Sequence, residues 1–362
     1  MLIILGTAAG TGQGGISTAL PSYFEALKRA QIDYEFVATH EAGTALHKFR
    51  LYFGALRSVT KLILKAKKNK QTPILYVHIG PWFSMLRKLS LVWIGRLMGA
   101  KIICQVHSQS LNSYLKHVLG RLACKFYFAQ MDCVLLLTEW WRARFSGAGI
   151  TRLSIVPNPL SEYFEYVAKQ SRAYTVPLAV GNPMRLLTMT RLVPGKGVEL
   201  SINSLALLPA HYQLTIAGAG PLHNDLMKQV AALNLSERVS FLGWVEGTDR
   251  LTLYENHDIF LLPTQNDSFG MGFIEAMAFG LPVVALNWGA IVDVVAKDRA
   301  GFLVKQPDAT LLAAALKKLE SVELRREMGA FGQHWVLEQF SIDSIAIKLG
   351  NIVNNLLVET RK

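Results

Sequence analysis

The chain has 362 residues, of which 51% are hydrophobic and 18% charged, with a formal net charge of +12. That length suggests two domains at roughly 150 residues each, and that composition excludes a disordered or fibrous chain. No apolar run reaches the roughly 18 uncharged residues of a spanning helix; the nearest, 89–104, is broken by Arg96 and Lys101. Met1 opens directly into Leu2, Ile3, Ile4 and Leu5, without the basic region or cleavage site of a signal peptide. Cys104, Cys124 and Cys133 sit in apolar stretches. Odd in number, they read as reduced core residues rather than a disulfide or zinc framework.

In chain order, apolar runs at 2–5, 34–38, 74–79, 101–106 and 133–137 predict buried strands separated by helical stretches, the pattern of βαβ units on a parallel sheet. A Pro- and Tyr-rich stretch, 156–183, breaks the alternation and reads as a linker. Strand candidates then recur at 185–189, 213–217, 239–242, 259–262, 283–286 and 301–304, and three helical stretches run from 309 to the end. The expectation is an α/β chain of two doubly wound, Rossmann-like domains with a cleft between them. Domain one would span 1–180 and domain two 181–341.

After the first strand come Gly10, Gly12, Gly14 and Gly15. Gly10, Gly12 and Gly15 fit G-x-G-x-x-G, with Asp33 and Glu35 near the second strand. That leaves two readings open, a dinucleotide site or a tight turn without ligand. In the second half Thr190-Arg191-Leu192-Val193-Pro194-Gly195-Lys196-Gly197 follows a strand and opens a helix. Arg191 as a fork and Lys196 as a point charge could clamp a diphosphate. Asp267-Ser268-Phe269-Gly270-Met271-Gly272 follows a later strand, and Glu275 lies in the helix beyond. Backbone N–H groups at Gly270 to Gly272 suit phosphate. The spacing of eight between Asp267 and Glu275 would set both carboxylates along one side of a helix. Glu275 lies in an otherwise apolar stretch, so it requires a partner. Taken singly, each charge could also be an ordinary surface or capping residue.

These motifs, in this order, resemble the retaining GT-B glycosyltransferases of family 4 (glycosyl transferases group 1), over essentially the whole chain. The family's Gly-Arg-Leu-x-x-x-Lys-Gly is matched at 190–197, with Thr190 in the first place. Its Gly-x-Gly-Pro turn is matched by Gly218-Ala219-Gly220-Pro221, and its Gly-aromatic-Val by Gly243-Trp244-Val245. Its paired glutamates around Ser-Phe-Gly are matched by Asp267 and Glu275, the first shortened to aspartate. Its Pro-Asn-Gly is matched by Pro157-Asn158-Pro159.

The resemblance implies roles. Arg191 and Lys196 would neutralise the donor diphosphate, Glu275 would bind the ribose, and Asp267 the donor sugar. Phe269, Gly270, Met271 and Gly272 would border phosphate and sugar, Trp244 and Val245 the base, and Gly218 and Gly220 the donor turn. Gly14 and Gly15 would lie near the diphosphate and acceptor, and His107 near the donor sugar; His107 could otherwise be a satisfied core histidine. A terminal helix, 342–362, would pack back on domain one. The implied reaction is transfer of a sugar with retention from a UDP- or GDP-sugar, with no cofactor and no metal. The implied acceptor is a glycan or polyprenyl-diphosphate-linked oligosaccharide for cell-surface polysaccharide. A nicotinamide dehydrogenase and a non-catalytic membrane scaffold are the rival classes.

Charge supplies the last expectation. Residues 1–157 carry +14 and the remainder −2; from 42 to 131 there are 15 Lys and Arg and no acid. Such one-sidedness points to a polyanion. Leu46, Phe49, Phe53, Leu56, Val59 and Ile63 recur at helical spacing, flanked by Lys61, Lys65, Lys67 and Lys68, and Trp82, Arg87 and Lys88 follow. This reads as an amphipathic helix able to lie on anionic lipid, or as a core helix with a solvated basic face. With no nucleic-acid module recognisable, the expectation is a cytoplasmic protein held peripherally on the inner face of the membrane.

Overall fold

The computed structural model describes residues 1–8, 15–41, 43–170 and 183–359. The chain divides into two units, Met1–Ser161 with Phe340–Lys362, and Glu162–Gln339.

The first unit runs β1 (Leu2–Thr7), α1 (Gly15–Arg29), β2 (Tyr34–His40), α2 (Ala45–Lys68), β3 (Ile74–Ile79), α3 (Trp82–Leu97), β4 (Lys101–Val106), α4 (Leu111–Lys116), α5 (Val118–Phe128), β5 (Cys133–Leu136), α6 (Glu139–Gly147) and β6 (Leu153–Ile155). All strands are parallel, in the order β2-β1-β3-β4-β5-β6. The short edge strand β6 was not foreseen; its three side chains are half-buried and carry no apolar run. The second unit runs α7 (Glu162–Lys169), β7 (Met184–Met189), α8 (Val198–Ala206), β8 (Tyr212–Ala217), α9 (His223–Ala232), β9 (Val239–Gly243), α10 (Gly247–Glu255), β10 (Ile259–Leu262), α11 (Met271–Ala278), β11 (Val283–Leu286), α12 (Ile291–Val294), β12 (Gly301–Val304), α13 (Ala309–Lys318) and α14 (Val322–Phe340). Its six parallel strands are ordered β12-β11-β10-β7-β8-β9. The chain ends in α15 (Ile342–Glu359), which lies against α1 in the first unit.

Apolar β-strands buried on both faces explain these elements. In the first unit, Tyr23, Ala26 and Leu27 of α1 and Ile345, Leu349 and Val353 of α15 enclose Ile4, Tyr76 and Ile103. In the second, Val198, Ile202 and Leu205 of α8 pack on Leu186, Leu214 and Ile216.

The domain boundary at 180 needs correction. Within the stretch read as linker, α7 is a helix of the second unit. Phe164 packs edge-on against Tyr254 at 5.8 Å and Phe279 at 5.6 Å. Amphipathic burial of Phe164, Val167 and Ala168 outweighs the turn signals around it. The rest of the stretch, 171–182, lies outside the described residues.

Lys88, read as part of an exposed basic face, is fully buried. Its ammonium donates to the His78 carbonyl oxygen and, at 3.4 Å, to Ser84 Oγ. It falls on the same side of α3 as Met85, Leu91 and Val92, which are also buried. Burial, and then the nearby Arg87, pull its pKa down to about 7. Arg87 and Trp82 are half-buried, and the indole of Trp82 packs edge-on against Tyr114 at 5.5 Å. In α2 the reading as a core helix with a solvated basic face fits the second half, and the first half leaves its apolar residues exposed. Ala55, Val59, Ile63 and Ala66 are core residues, whereas Leu46, Phe49 and Phe53 are exposed, as are Lys61, Lys65, Lys67 and Lys68.

Candidate active site

In each sheet the chain reverses its direction of travel once. The reversal falls between β1 and β3 in the first unit and between β7 and β10 in the second. At such a point the loops leaving adjacent strands diverge and open a crevice for ligand.

In the second unit the loops after β7 and β10 are laid backbone to backbone. Gln265 N–H donates to Gly195 O at 2.9 Å, and Thr264 Oγ1 to the same oxygen at 3.2 Å. Gly197 has φ +77°, and a Cβ there would lie 2.1 Å from Pro263 O. Only glycine fits this contact. On the other flank, Leu192 N–H donates to Ala219 O at 2.9 Å. A Cβ on Gly218 or Gly220 would meet Thr190 O or Leu192 O at 1.8 and 2.3 Å. These two glycines thus hold the Arg191 loop against the β8 loop.

That packing sets the charges. Lys196 is 7% exposed, and its ammonium meets Asp267 Oδ2 at 2.7 Å. Arg191 is exposed and forms no ion pair among the described residues. Asp267 and Glu275 do not share a helix face as the spacing suggested. Gly270, at φ +93°, stops the helical path, so α11 begins only at Met271 and Asp267 sits in the loop. Phe269 is buried beneath this turn, and a Cβ on Gly272 would touch Phe260 Cζ at 3.0 Å. The first N–H groups of α11, at Met271 and Gly272, have no intrahelical acceptor and carry the positive end of the helix dipole.

Glu275 is 2% exposed, and its partners come from α10. Its Oε2 accepts from the Arg250 guanidinium and, at 2.9 Å, from Tyr254 OH. No hydrogen bond among the described residues reaches Oε1. Arg250 lies 5.6 Å over the Phe164 ring. Burial would lower its pKa, but Glu275 and then Tyr254 more than offset that and hold it above its ordinary value. Burial, and then Glu275, likewise hold the Tyr254 phenol well above its usual range. Sequence reading did not find Arg250 and Tyr254. The need of Glu275 for a partner was visible, but the partner's position 25 residues upstream was not. Beyond β9, Trp244 and Val245 flank the Gly243 carbonyl that Gly218 N–H engages at 2.6 Å. Trp244 is 39% exposed, its indole N–H donating to Glu246 at 2.5 Å.

In the first unit Gly14 lies outside the described residues, with Gly10 and Gly12; Gly15 opens α1. His107 follows β4, its backbone N–H donating to Ile79 O at 3.1 Å. Its Nε2 lies 2.9 Å from His78 Nδ1, and the two rings stack at 5.2 Å. Burial, and then Lys88, lower the His107 pKa to about 3. The Pro157-Asn158-Pro159 motif serves the fold, since Tyr23 OH bonds Pro157 O and Asn158 Oδ1 at 3.1 and 3.2 Å. Buried polar atoms without a partner gather beyond the carboxyl ends of β3, β4 and β5. They include Arg87 Nε, Gln109 Oε1, Asn112 Oδ1 and Thr138 Oγ1. Such atoms are rare in folded proteins unless a ligand meets them. No group of three or more metal-ligating side chains converges among the described residues.

Comparison with known proteins follows this division. Residues 176–335 match the family model for "Glycosyl transferases group 1". The chain is 26% identical over 294 residues to the amylovoran biosynthesis glycosyltransferase AmsK of Erwinia amylovora, covering 75% of this chain and 68% of that one. It is 27% identical over 302 residues to a GDP-mannose-dependent alpha-(1-6)-phosphatidylinositol monomannoside mannosyltransferase of Mycobacterium tuberculosis, covering 75% and 74%. Among solved structures it matches sucrose-phosphate synthase from Thermosynechococcus elongatus with a TM-score of 0.75 at 21% identity, over 99% of both chains. It matches Anabaena HepE in complex with UDP at 0.74 and 18% identity, over 98% and 99%. The fold is thus that of the GT-B glycosyltransferases, and residues 176–335, which hold the loops after β7 and β10, are similar to the glycosyl transferases group 1.

Proposed function

We propose that this glycosyltransferase moves a sugar, with retention and without metal, from a UDP- or GDP-sugar held by its second unit. The acceptor would be a glycan or lipid-linked saccharide held by its first unit. One observation carries the reading. Lys196, the free N–H groups of α11 and the open Oε1 of buried Glu275 all belong to the β7/β10 edge, where a nucleoside diphosphate needs a cation, phosphate donors and a ribose acceptor. Lys196 and Arg191 would neutralise the charge that develops on the departing diphosphate, and such electrostatic stabilisation usually lowers the barrier more than any other effect. Asp267, one methylene shorter than the family's glutamate, would hold the Lys196 ammonium until the donor arrives and then be released to a sugar hydroxyl. The named relatives, which act in amylovoran biosynthesis and on a phosphatidylinositol mannoside, support a role in cell-surface polysaccharide or glycolipid synthesis.

A peripheral position on an anionic membrane is part of this reading. On the first unit α5 exposes Val118, Leu119, Leu122 and Phe126 beside Lys116, Arg121 and Lys125, and α3 exposes Phe83 and Leu97. Apolar side chains ringed by cations suit the lipid interface. No helix among the described residues is long and apolar enough to cross a membrane.

A thermal-shift panel of UDP, GDP, ADP, CMP and NAD tests the donor. A ligand that binds only the folded state raises the midpoint. A rise with UDP or GDP is expected; a rise with NAD alone would move the site to the glycine loop of the first unit and overturn the reading.

A further inference from the structure

The histidine pair at the ends of β3 and β4 has a property that the transferase reading does not use. His78 is fully enclosed and His107 partly exposed. Their one mutual contact joins His78 Nδ1 to His107 Nε2 at 2.9 Å. Two neutral imidazoles sharing one hydrogen bond have two arrangements, since each ring carries one N–H. If His107 Nε2–H donates, the proton of His78 sits on its Nε2. That atom is buried and partnerless. The tyrosines packed on the His78 ring cannot relieve it. Tyr23 OH is bonded to Pro157 and Asn158, and Tyr76 OH donates to Gln105 Oε1 at 2.9 Å. If instead His78 Nδ1–H donates, only a bare lone pair is left in the core. Orphaned buried N–H groups are the rarer defect, so the second arrangement prevails.

We infer that His78 is a positioning residue that locks His107 in the Nδ1–H tautomer, so that the other ring nitrogen of His107, Nδ1, is a fixed hydrogen-bond donor for a substrate oxygen. The lock needs both rings neutral, and their surroundings secure this. The Lys88 ammonium, held on the His78 carbonyl oxygen, and burial disfavour a second proton on either ring. A donor of this kind selects for an oxygen lone pair, as on a sugar hydroxyl. That last step rests on the transferase reading, whereas the tautomer does not.

Two-bond ¹H–¹⁵N correlation spectra of ¹⁵N-histidine-labelled full-length protein at pH 7 test it, with His78→Phe and His107→Phe used to assign the signals. The expected wild-type spectrum shows His107 neutral, with its proton on Nδ1 and a bare Nε2. His78→Phe should shift its two ring nitrogens towards the average of exchanging tautomers. His78→Asn, whose amide can still donate, should restore the wild-type pattern; if His78→Phe does not fold, the smaller His78→Leu, which cannot donate, takes its place. A His107 proton on Nε2 in the wild type, a doubly protonated His107, or a His107 spectrum that loss of the His78 donor leaves unchanged would overturn the inference. The nucleotide panel is independent of these spectra, so the two readings fail separately.

Discussion

At the level of single residues, the site is held by groups whose alternatives the fold forbids. Gly197 combines a left-handed backbone with a carbonyl 2.1 Å from where a Cβ would stand. Gly197→Ala should cost at least about 1–2 kcal/mol from the backbone alone, read as a lower melting midpoint. Lys88 makes a second case. Its pKa falls from 10.5 to about 7 on folding, so between those values the unfolded chain binds more protons and stability rises with pH. The penalty is complete below pH 7 and relieved as pH climbs towards 10.5. Lys88→Met should be stabilising relative to wild type at pH 6.5, with the gap narrowing by pH 10 in chemical denaturation. A gap independent of pH would show that the amine keeps its ordinary pKa on folding and that burial exacts no charge penalty. The sequence made Arg191, Lys196, Asp267 and Glu275 visible, because phosphate chemistry restricts residue type. It hid the buried Lys88, whose neighbours Arg87 and Trp82 look like a surface, and it hid Arg250, which reaches Glu275 only through the sheet's return path.

Among elements, the strands were legible because runs buried on both faces leave an unbroken apolar signature; β6, with three half-buried residues, leaves none. Helices were harder to place. The helix around 46–68 reads as a basic amphipath, yet α2 splits between core and surface. A second exposed apolar stripe lies on α5, where fewer lysines cluster to draw the eye. The proposed docking face is therefore tested by element. Leu119, Leu122 and Phe126 changed together to Ser should weaken binding to phosphatidylglycerol-containing vesicles by about tenfold or more, since each buried CH₂ group is worth about 0.8 kcal/mol. Changing Lys61, Lys65, Lys67 and Lys68 to Glu should weaken binding chiefly at low salt. Sedimentation with vesicles checks both; unchanged binding in both variants would rule out membrane docking through these faces.

For the molecule as a whole, charge and fold divide the chain alike, with +14 on residues 1–157 against −2 on the remainder. The last helix belongs to the first unit, where Ile345, Leu349, Val353 and Leu356 cover the α1 side of its core. Truncation after residue 340 should lower the melting transition of the first unit and expose apolar surface to a hydrophobic dye. In the proposed function a nucleoside diphosphate would be seated in the second unit, on Lys196, the start of α11 and Glu275. Calorimetric titration of UDP and GDP into wild type and Glu275→Gln is the decisive experiment. One nucleotide should bind the wild type at one site and bind Glu275→Gln at least tenfold more weakly, with that variant still folded. Equal affinity in the two proteins, or no binding of either nucleotide to the wild type, would contradict the proposed donor site.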